Sequence, residues 1–217
     1  MELISPTVST YLEQLAYHGD PVLADMEERA RQDGFPIVGP VAGRICYQIA
    51  RMIGARRVFE LGSGYGYSTL WFARAVAENG GGEVHHTVWD EALSGAARAY
   101  VRRAGLEHIV RFHVGEAVEV LRDAPGEFDL VFNDIVKDQY PASIPVIRDK
   151  LRVGGVLIVD NMLWSGRIFN IADTGPSTEG VREATRLLFT DRDFVATLLP
   201  VHDGLVVALR VRAPMRS

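Results

Sequence analysis

Apolar positions recur along this chain with two different periods. Up to Gly54 the spacing is helical: Leu12, Leu15 and Ala16 share one face, then Val22, Leu23 and Met26 another. A break follows at Gly34-Phe35-Pro36, because proline disfavours helix in the residue before it. A third helix is predicted from about Gly39, with Val41, Ile45, Ile49 and Ile53 on its apolar face and Gly54 as its stop. Beyond Gly54 the pattern shortens. Val58–Leu61, Val84–Val88, Ile109–Val114, Phe128–Phe132 and Val156–Val159 read as strands, the last starting after Gly154-Gly155. Helical stretches at Ser68–Ala77 and Ala92–Ala104 separate the first three. This alternation implies parallel βαβ units with right-handed crossovers. The tail differs: a helix over Thr178–Phe189, then strands Phe194–Leu199 and Leu205–Val211 around Pro200-Val201-His202-Asp203-Gly204. Asp-Gly marks a reversal, so the last two strands are expected to pair antiparallel. The expected fold is α/β and doubly wound, a mostly parallel sheet of seven strands with an antiparallel strand near the C-terminus and extra N-terminal helices. One domain is expected over 1–217, with a helical cap (1–54) and a core (55–217). The stretch Trp164–Ser177, rich in Gly, Asp, Ser and Thr, is the expected mobile loop.

Composition narrows the classes. The 217 residues carry a formal net charge of -5, so no overall basic footprint marks a nucleic-acid binder. Apolar content of 47% and charged content of 24% are ordinary for a globular protein. Cys46, the single cysteine, excludes an internal disulfide and a cysteine metal site, and fits a reducing compartment. It lies in a helical pattern with Ile45 and Ile49 and reads as core. The start, Met1-Glu2-Leu3-Ile4-Ser5-Pro6, lacks the basic-then-apolar pattern of a leader, and no apolar run approaches the roughly 20 residues of a membrane span. The expectation is a cytoplasmic protein with no membrane partner.

The candidate chemistry sits at strand ends. Glu60-Leu61-Gly62-Ser63-Gly64-Tyr65-Gly66-Tyr67-Ser68 follows the first strand, and its glycines permit a tight turn and close approach to a ligand. The spacing is G-x-G-x-G, not the G-x-G-x-x-G of dinucleotide sites, and Glu60 would repel a pyrophosphate. Two further strands end in Phe132-Asn133-Asp134, followed by Lys137, and in Val159-Asp160-Asn161. Carboxyl ends of parallel strands share one edge, where ligands bind. Two carboxylates and an amide oxygen are hard donors suited to Mg²⁺, with Ca²⁺ or Mn²⁺ as alternatives to it, and not to zinc. Asp160 and Asn161 are consecutive, so both can reach one ligand only if the strand has ended and the chain turns. Of the histidines, His85 and His86 fall on opposite strand faces, and none assembles into a site; His202 lies in a turn bordering the expected mouth.

The segment Val58 to Leu70 resembles the first motif of S-adenosylmethionine-dependent methyltransferases. Its Gly66-Tyr67-Ser68-Thr69 ending is similar to the branch with catechol and caffeoyl-CoA O-methyltransferases. Phe132 to Tyr140 resembles that branch's Asp-x-x-Lys-x-x-Tyr segment, and Val159 to Gly166 its Asp-Asn-x-Leu-Trp-x-Gly segment. The likeness runs from about Asp20 to Leu209. It implies a Rossmann-like core and metal-dependent methyl transfer to a hydroxyl of a small catechol-like vicinal diol. It implies a cation on Asp134, Asp160 and Asn161, with Lys137 as general base and Asp134 touching both cofactor and metal. Implied cofactor contacts are Val38, Glu60, Gly62, Ser63, Ser68 and Ala117, with Trp89 beside the adenine; Tyr140 and Trp164 would line the substrate side, and the N-terminal helices imply a homodimer. One departure stands out. The family has an acidic residue at the end of the second strand for the cofactor ribose, where this chain has Val88. Asp90 either reaches the ribose from beyond it or caps the next helix. Two other functions stay open: a tRNA hydroxyuridine O-methyltransferase, for which Arg44, Arg51, Arg56 and Arg57 would supply basic surface, and a non-catalytic S-adenosylmethionine-binding module.

Overall fold

The computed structural model describes residues 5–212. Met1–Ile4, which entered the reading against a leader, and the two ends of the expected 1–217 domain lie outside the described residues. Three helices come first: α1 (Pro6–Leu15), α2 (Pro21–Asp33) and α3 (Gly39–Met52). Each has a proline in its first turn, where a missing N–H costs nothing. Asp20 caps α2 by accepting from the Val22 and Leu23 amides. There follow β1 (Arg57–Leu61), α4 (Tyr67–Glu78), β2 (Glu83–Val88), α5 (Glu91–Arg103), β3 (Val110–Val114), α6 (Ala117–Asp123) and β4 (Phe128–Asn133). The chain ends with α7 (Tyr140–Lys150), β5 (Leu151–Val159), α8 (Pro176–Thr190), β6 (Phe194–Leu199) and β7 (Leu205–Arg210).

The strands form one seven-stranded sheet in the order β3-β2-β1-β4-β5-β7-β6. Strands β1 to β5 run parallel, and β7 lies antiparallel to both β5 and β6. Strand alternation splits the core in two. Val58, Leu130, Phe132 and Ile158 pack with Cys46, Leu70 and Phe72 on one face. Phe59, Val131 and Leu157 pack with Ile144, Ile147 and Leu188 on the other. Helices therefore cover both faces, as a parallel sheet requires. The strand order reverses between β1 and β4, so the carboxyl ends there open a crevice. Among the described residues, no helix is long and apolar enough to cross a membrane.

Three local expectations need correction. Strand β5 does not begin after Gly154-Gly155 but before them. The strand starts at Leu151, and the glycines lie in an irregularity where Phe128 pairs with Leu151 but Leu130 with Val156. Helices α6 and α7 are not foreseen by the apolar pattern. Pro141 and Pro145 look like breakers, yet α7 forms because Tyr140, Ser143, Ile144 and Ile147 bury one face against the sheet. Finally, Trp164–Ser177 is tethered and not a free loop. Arg167 pairs with Asp173 at 2.7 Å, and the Arg182 guanidinium donates to the carbonyls of Ile168, Asn170 and Asp173.

Candidate active site

Strands β1 and β4 are neighbours, so their ends meet. The Asp134 amide donates to the Leu61 carbonyl at 2.8 Å. Gly62 follows at φ +84°, and a Cβ there would stand 2.4 Å from the Asp134 carbonyl oxygen. Only glycine fits this approach. The turn closes through Gly66 N–H to the Ser63 carbonyl (2.9 Å), and Ser63 is bound to β2 through its amide and its Oγ, both to Thr87. Helix α4 starts at Tyr67 with no side-chain cap, so its first amides remain available at the crevice.

The crevice encloses about 510 Å³. Gly62, Ser63 and Ser68 of the turn line it, with Val88, Trp89 and Ala117 on one side and Asp134, Lys137, Asp160, Asn161 and Trp164 on the other. Phe35, Ile37 and Val38 close it from the segment between α2 and α3. Phe35 lies in the break between α2 and α3. Its ring meets Tyr65 edge-on at 4.9 Å, which makes this segment a strap over the turn. Val136, Ser177 and His202 also line the crevice. Only turn placement hinted at His202, and nothing in the local pattern marked the other two.

Strand β5 ends at Val159, and Asn161 adopts φ +56°. This bend resolves the parity problem: consecutive Asp160 and Asn161 both reach the crevice wall. Asp160 is 1% exposed, and its backbone carbonyl accepts the Tyr140 hydroxyl at 3.0 Å. Lys137 is buried; its Nζ donates to Asp134 Oδ1 at 2.6 Å and to the Ile135 carbonyl at 3.1 Å. Burial raises the Asp134 pKa, Lys137 opposes this, and the nearby Asp160 charge adds to it. Among the described lining residues Lys137 is the one lysine or arginine, facing two carboxylates. Asp160 is buried and Asp134 partly exposed, so a cation between them would offset their charge. No three His, Cys, Asp or Glu side chains among the described residues gather into a metal cluster. The available donors are two carboxylates and the Asn161 amide, which fit a hard cation.

Residues 16–211 match a protein family described as O-methyltransferase. The chain belongs to this family of S-adenosylmethionine-dependent O-methyltransferases. The catechol O-methyltransferase of Niastella koreensis is 27% identical over 95% of this chain and 97% of that protein. A putative O-methyltransferase of Mycobacteroides abscessus is 32% identical over 88% and 89%. Among solved structures, the O-methyltransferase TomG of Streptomyces achromogenes, involved in tomaymycin synthesis and in complex with SAM, has a TM-score of 0.85 at 28% identity, covering 95% of this chain and 96% of that one. An O-methyltransferase of Bacillus cereus in complex with SAH has a TM-score of 0.85 at 26% identity, covering 94% and 97%.

In this O-methyltransferase three anticipated contacts lie off the crevice wall. Glu60 is fully buried beneath the glycine turn, with neither carboxylate oxygen hydrogen-bonded. Burial pushes its pKa up to about 7, although Ser68, Thr69 and Ser63 lie close enough to oppose the rise. Asp90 caps α5, accepting from the Leu93 amide at 3.0 Å, and is exposed. The wall at the end of β2 is apolar at Val88 and Trp89. Tyr140 does not line the crevice. It is fully buried, with its ring 5.1 Å below Lys137 Nζ, and so supports the lysine and Asp160 from behind. His85 and His86 face opposite sides, as alternation requires. His85 pairs with His113 (3.1 Å), and burial takes the pKa of His86 down to about 3.

Proposed function

We propose that this enzyme transfers a methyl group from S-adenosylmethionine to a hydroxyl of a small catechol-like diol, assisted by a divalent cation. The observation that carries the reading is the meeting of Asp134, Lys137, Asp160 and Asn161 in the crevice entered by the glycine turn. When bound, the cofactor would supply an electrophilic sulfonium methyl, and Mg²⁺ (or Ca²⁺ or Mn²⁺) would supply a Lewis acid that acidifies the diol. Asp134, Asp160 and Asn161 would hold the cation. The free amides at the start of α4, with Ser68, would bind the methionine carboxylate, and Glu60 would face its ammonium from beneath the turn. Val38 and Ala117 would enclose the cofactor, and Trp89 would flank its adenine. Lys137, neutral when it acts, would accept the proton leaving the attacking hydroxyl on its lone pair; its two N–H bonds, to Asp134 and to the Ile135 carbonyl, fix its Nζ. Trp164 would pack on the aromatic ring. Catalysis then rests largely on positioning two reactants in line.

The tRNA reading finds little support. Arg57 opens β1 and so lies at the sheet edge opposite the crevice, where it pairs with Glu83 at 2.9 Å and binds the Pro125 and Glu127 carbonyls. Arg56 binds the Gly80 and Gly81 carbonyls beside it. The proposal includes a homodimer through the N-terminal helices, since α1 buries none of its residues; a monomeric mass by light scattering would remove that part. The main test is methyl transfer to a catechol panel, with EDTA and Lys137→Ala as controls. EDTA is expected to abolish turnover, and Lys137→Ala to lower kcat by about 10²-fold or more. Full activity in EDTA would overturn the metal-assisted mechanism, and binding of S-adenosylmethionine without turnover on any diol would favour a non-catalytic module.

A further inference from the structure

Two carboxylates follow the ends of β2 and β3, and both serve helix termini. Asp90 accepts the Leu93 amide at 3.0 Å at the start of α5. Glu116 accepts the Val118 amide at 3.1 Å through one oxygen and the Glu119 amide at 2.5 Å through the other, at the start of α6. Neither is on the crevice wall, which on this side is built from Val88, Trp89, Gly115 and Ala117. None of those four side chains offers a hydrogen-bond acceptor, because the Trp89 indole N–H can only donate. The Val88 carbonyl accepts the Gly115 amide at 3.0 Å, which ties the ends of β2 and β3 together. Neighbouring hydroxyls do not replace the missing acceptor. Thr87 Oγ1 is closed off from solvent, and Ser63 Oγ accepts the Thr87 amide at 3.0 Å. In open α/β folds a carboxylate about 20 residues beyond the glycine turn accepts a ribose hydroxyl of the bound nucleotide. Here the last residue of β2 is Val88, and it is buried. Adenine, by contrast, meets the exposed Trp89 ring, and a carboxylate meets the free amides of α4.

We propose that this chain selects S-adenosylmethionine by its adenine and methionine ends and leaves the ribose hydroxyls unread, so that it accepts 2′-deoxy and 3′-deoxy forms of the cofactor equally well. This rests on the reading above that the crevice takes S-adenosylmethionine, and it is independent of the cation and the diol. A hydroxyl bonded to an ionised carboxylate makes a charge-assisted contact, and an analogue lacking that hydroxyl loses about tenfold or more in affinity. Where water is the hydroxyl's partner in the free and the bound states alike, its removal changes affinity little.

The test is titration calorimetry of the whole chain with S-adenosylhomocysteine and with its 2′-deoxy and 3′-deoxy analogues, with no metal or diol added. Wild type is expected to bind all three within about threefold. Val88→Glu, which places a carboxylate at the end of β2, is expected to bind S-adenosylhomocysteine about tenfold more tightly and to lose that gain with at least one analogue. Val88 is buried, so if the variant does not fold the wild-type panel decides by itself. A loss of about tenfold or more with either analogue in wild type would overturn the proposal, because some group would then be reading the ribose. A folded Val88→Glu that gains neither affinity nor discrimination would overturn the assignment to this wall. Both results leave the methyl-transfer reading intact. Failure of wild type to bind any of the three ligands would overturn the cofactor reading as well.

Discussion

Glu60 is the most consequential side chain outside the crevice wall. Its pKa of about 7 lies above the ordinary 4.5, so between those values the folded chain holds a proton that the unfolded chain has released. Stability is therefore highest near and below the lower value, falls as pH rises through this window, and stays low above it. Glu60→Gln removes the penalty. The variant is expected to melt several degrees higher than wild type at pH 8 but not at pH 4, and to bind S-adenosylmethionine more weakly; scanning and titration calorimetry would check both. If the Tm difference were the same at the two pH values, burial of the charge would not be the cause. Gly62 is the second such residue. With φ at +84° and the Asp134 carbonyl 2.4 Å from any Cβ, Gly62→Ala should cost about 2 kcal/mol or more by denaturant unfolding and displace Asp134 from the crevice.

Helix α2 holds the glycine turn in place. The Tyr65 hydroxyl donates to the Met26 carbonyl at 2.8 Å, and the Tyr67 hydroxyl to Glu27 at 2.5 Å. His18 accepts the Asp20 amide on Nδ1, so its Nε2 carries the hydrogen that reaches the same Glu27 oxygen at 2.9 Å. Buried Asp20 pairs with Arg74 of α4. These contacts tie the N-terminal cap to the start of α4 and bring Phe35 to Val38 over the crevice. Tyr67→Phe should cost about 1 kcal/mol, speed amide exchange in α2 and raise the cofactor off-rate. Stopped-flow release of the cofactor would show it; an unchanged off-rate would mean that the cap does not limit release. Elements also separate what local pattern reveals from what it hides. The strands and most helices follow from apolar period, but α7 carries two prolines and is decided by the face it buries. The glycines before Val156 look like the boundary of a strand, and only pairing with β4 makes them part of it.

Over the entire fold, the arginines at the amino edge of the sheet are neutralised locally by Glu83 and Asp129. Carboxylates collect at the carboxyl edge, while Arg56 and Arg57 are tied to carbonyls and Glu83 at the opposite one. A small neutral diol should therefore be methylated at rates that change little between 50 and 200 mM salt, a range over which a phosphate-binding enzyme making 6–10 contacts would lose about 10³-fold or more in affinity. A steep salt dependence of kcat/KM would point back to nucleic acid.

Much of the site could be read before any coordinates, because parallel strands must end on one edge and turn chemistry is local. That logic brings Gly62, Ser68, Asp134, Asp160 and Asn161 to one edge, with Lys137 three residues beyond Asp134. Chain order alone thus settles the α/β class, the glycine turn and the clustering of strand-end carboxylates. It leaves Asp90, Tyr140 and His202 undecided. Asp90 is drawn into a cap, Tyr140 is buried beneath the lysine, and His202 is carried to Asp160 across 42 positions of chain. Those outcomes belong to the packed molecule. Burial and loop-to-loop hydrogen bonds act between segments far apart in sequence, and no window along the chain contains both partners.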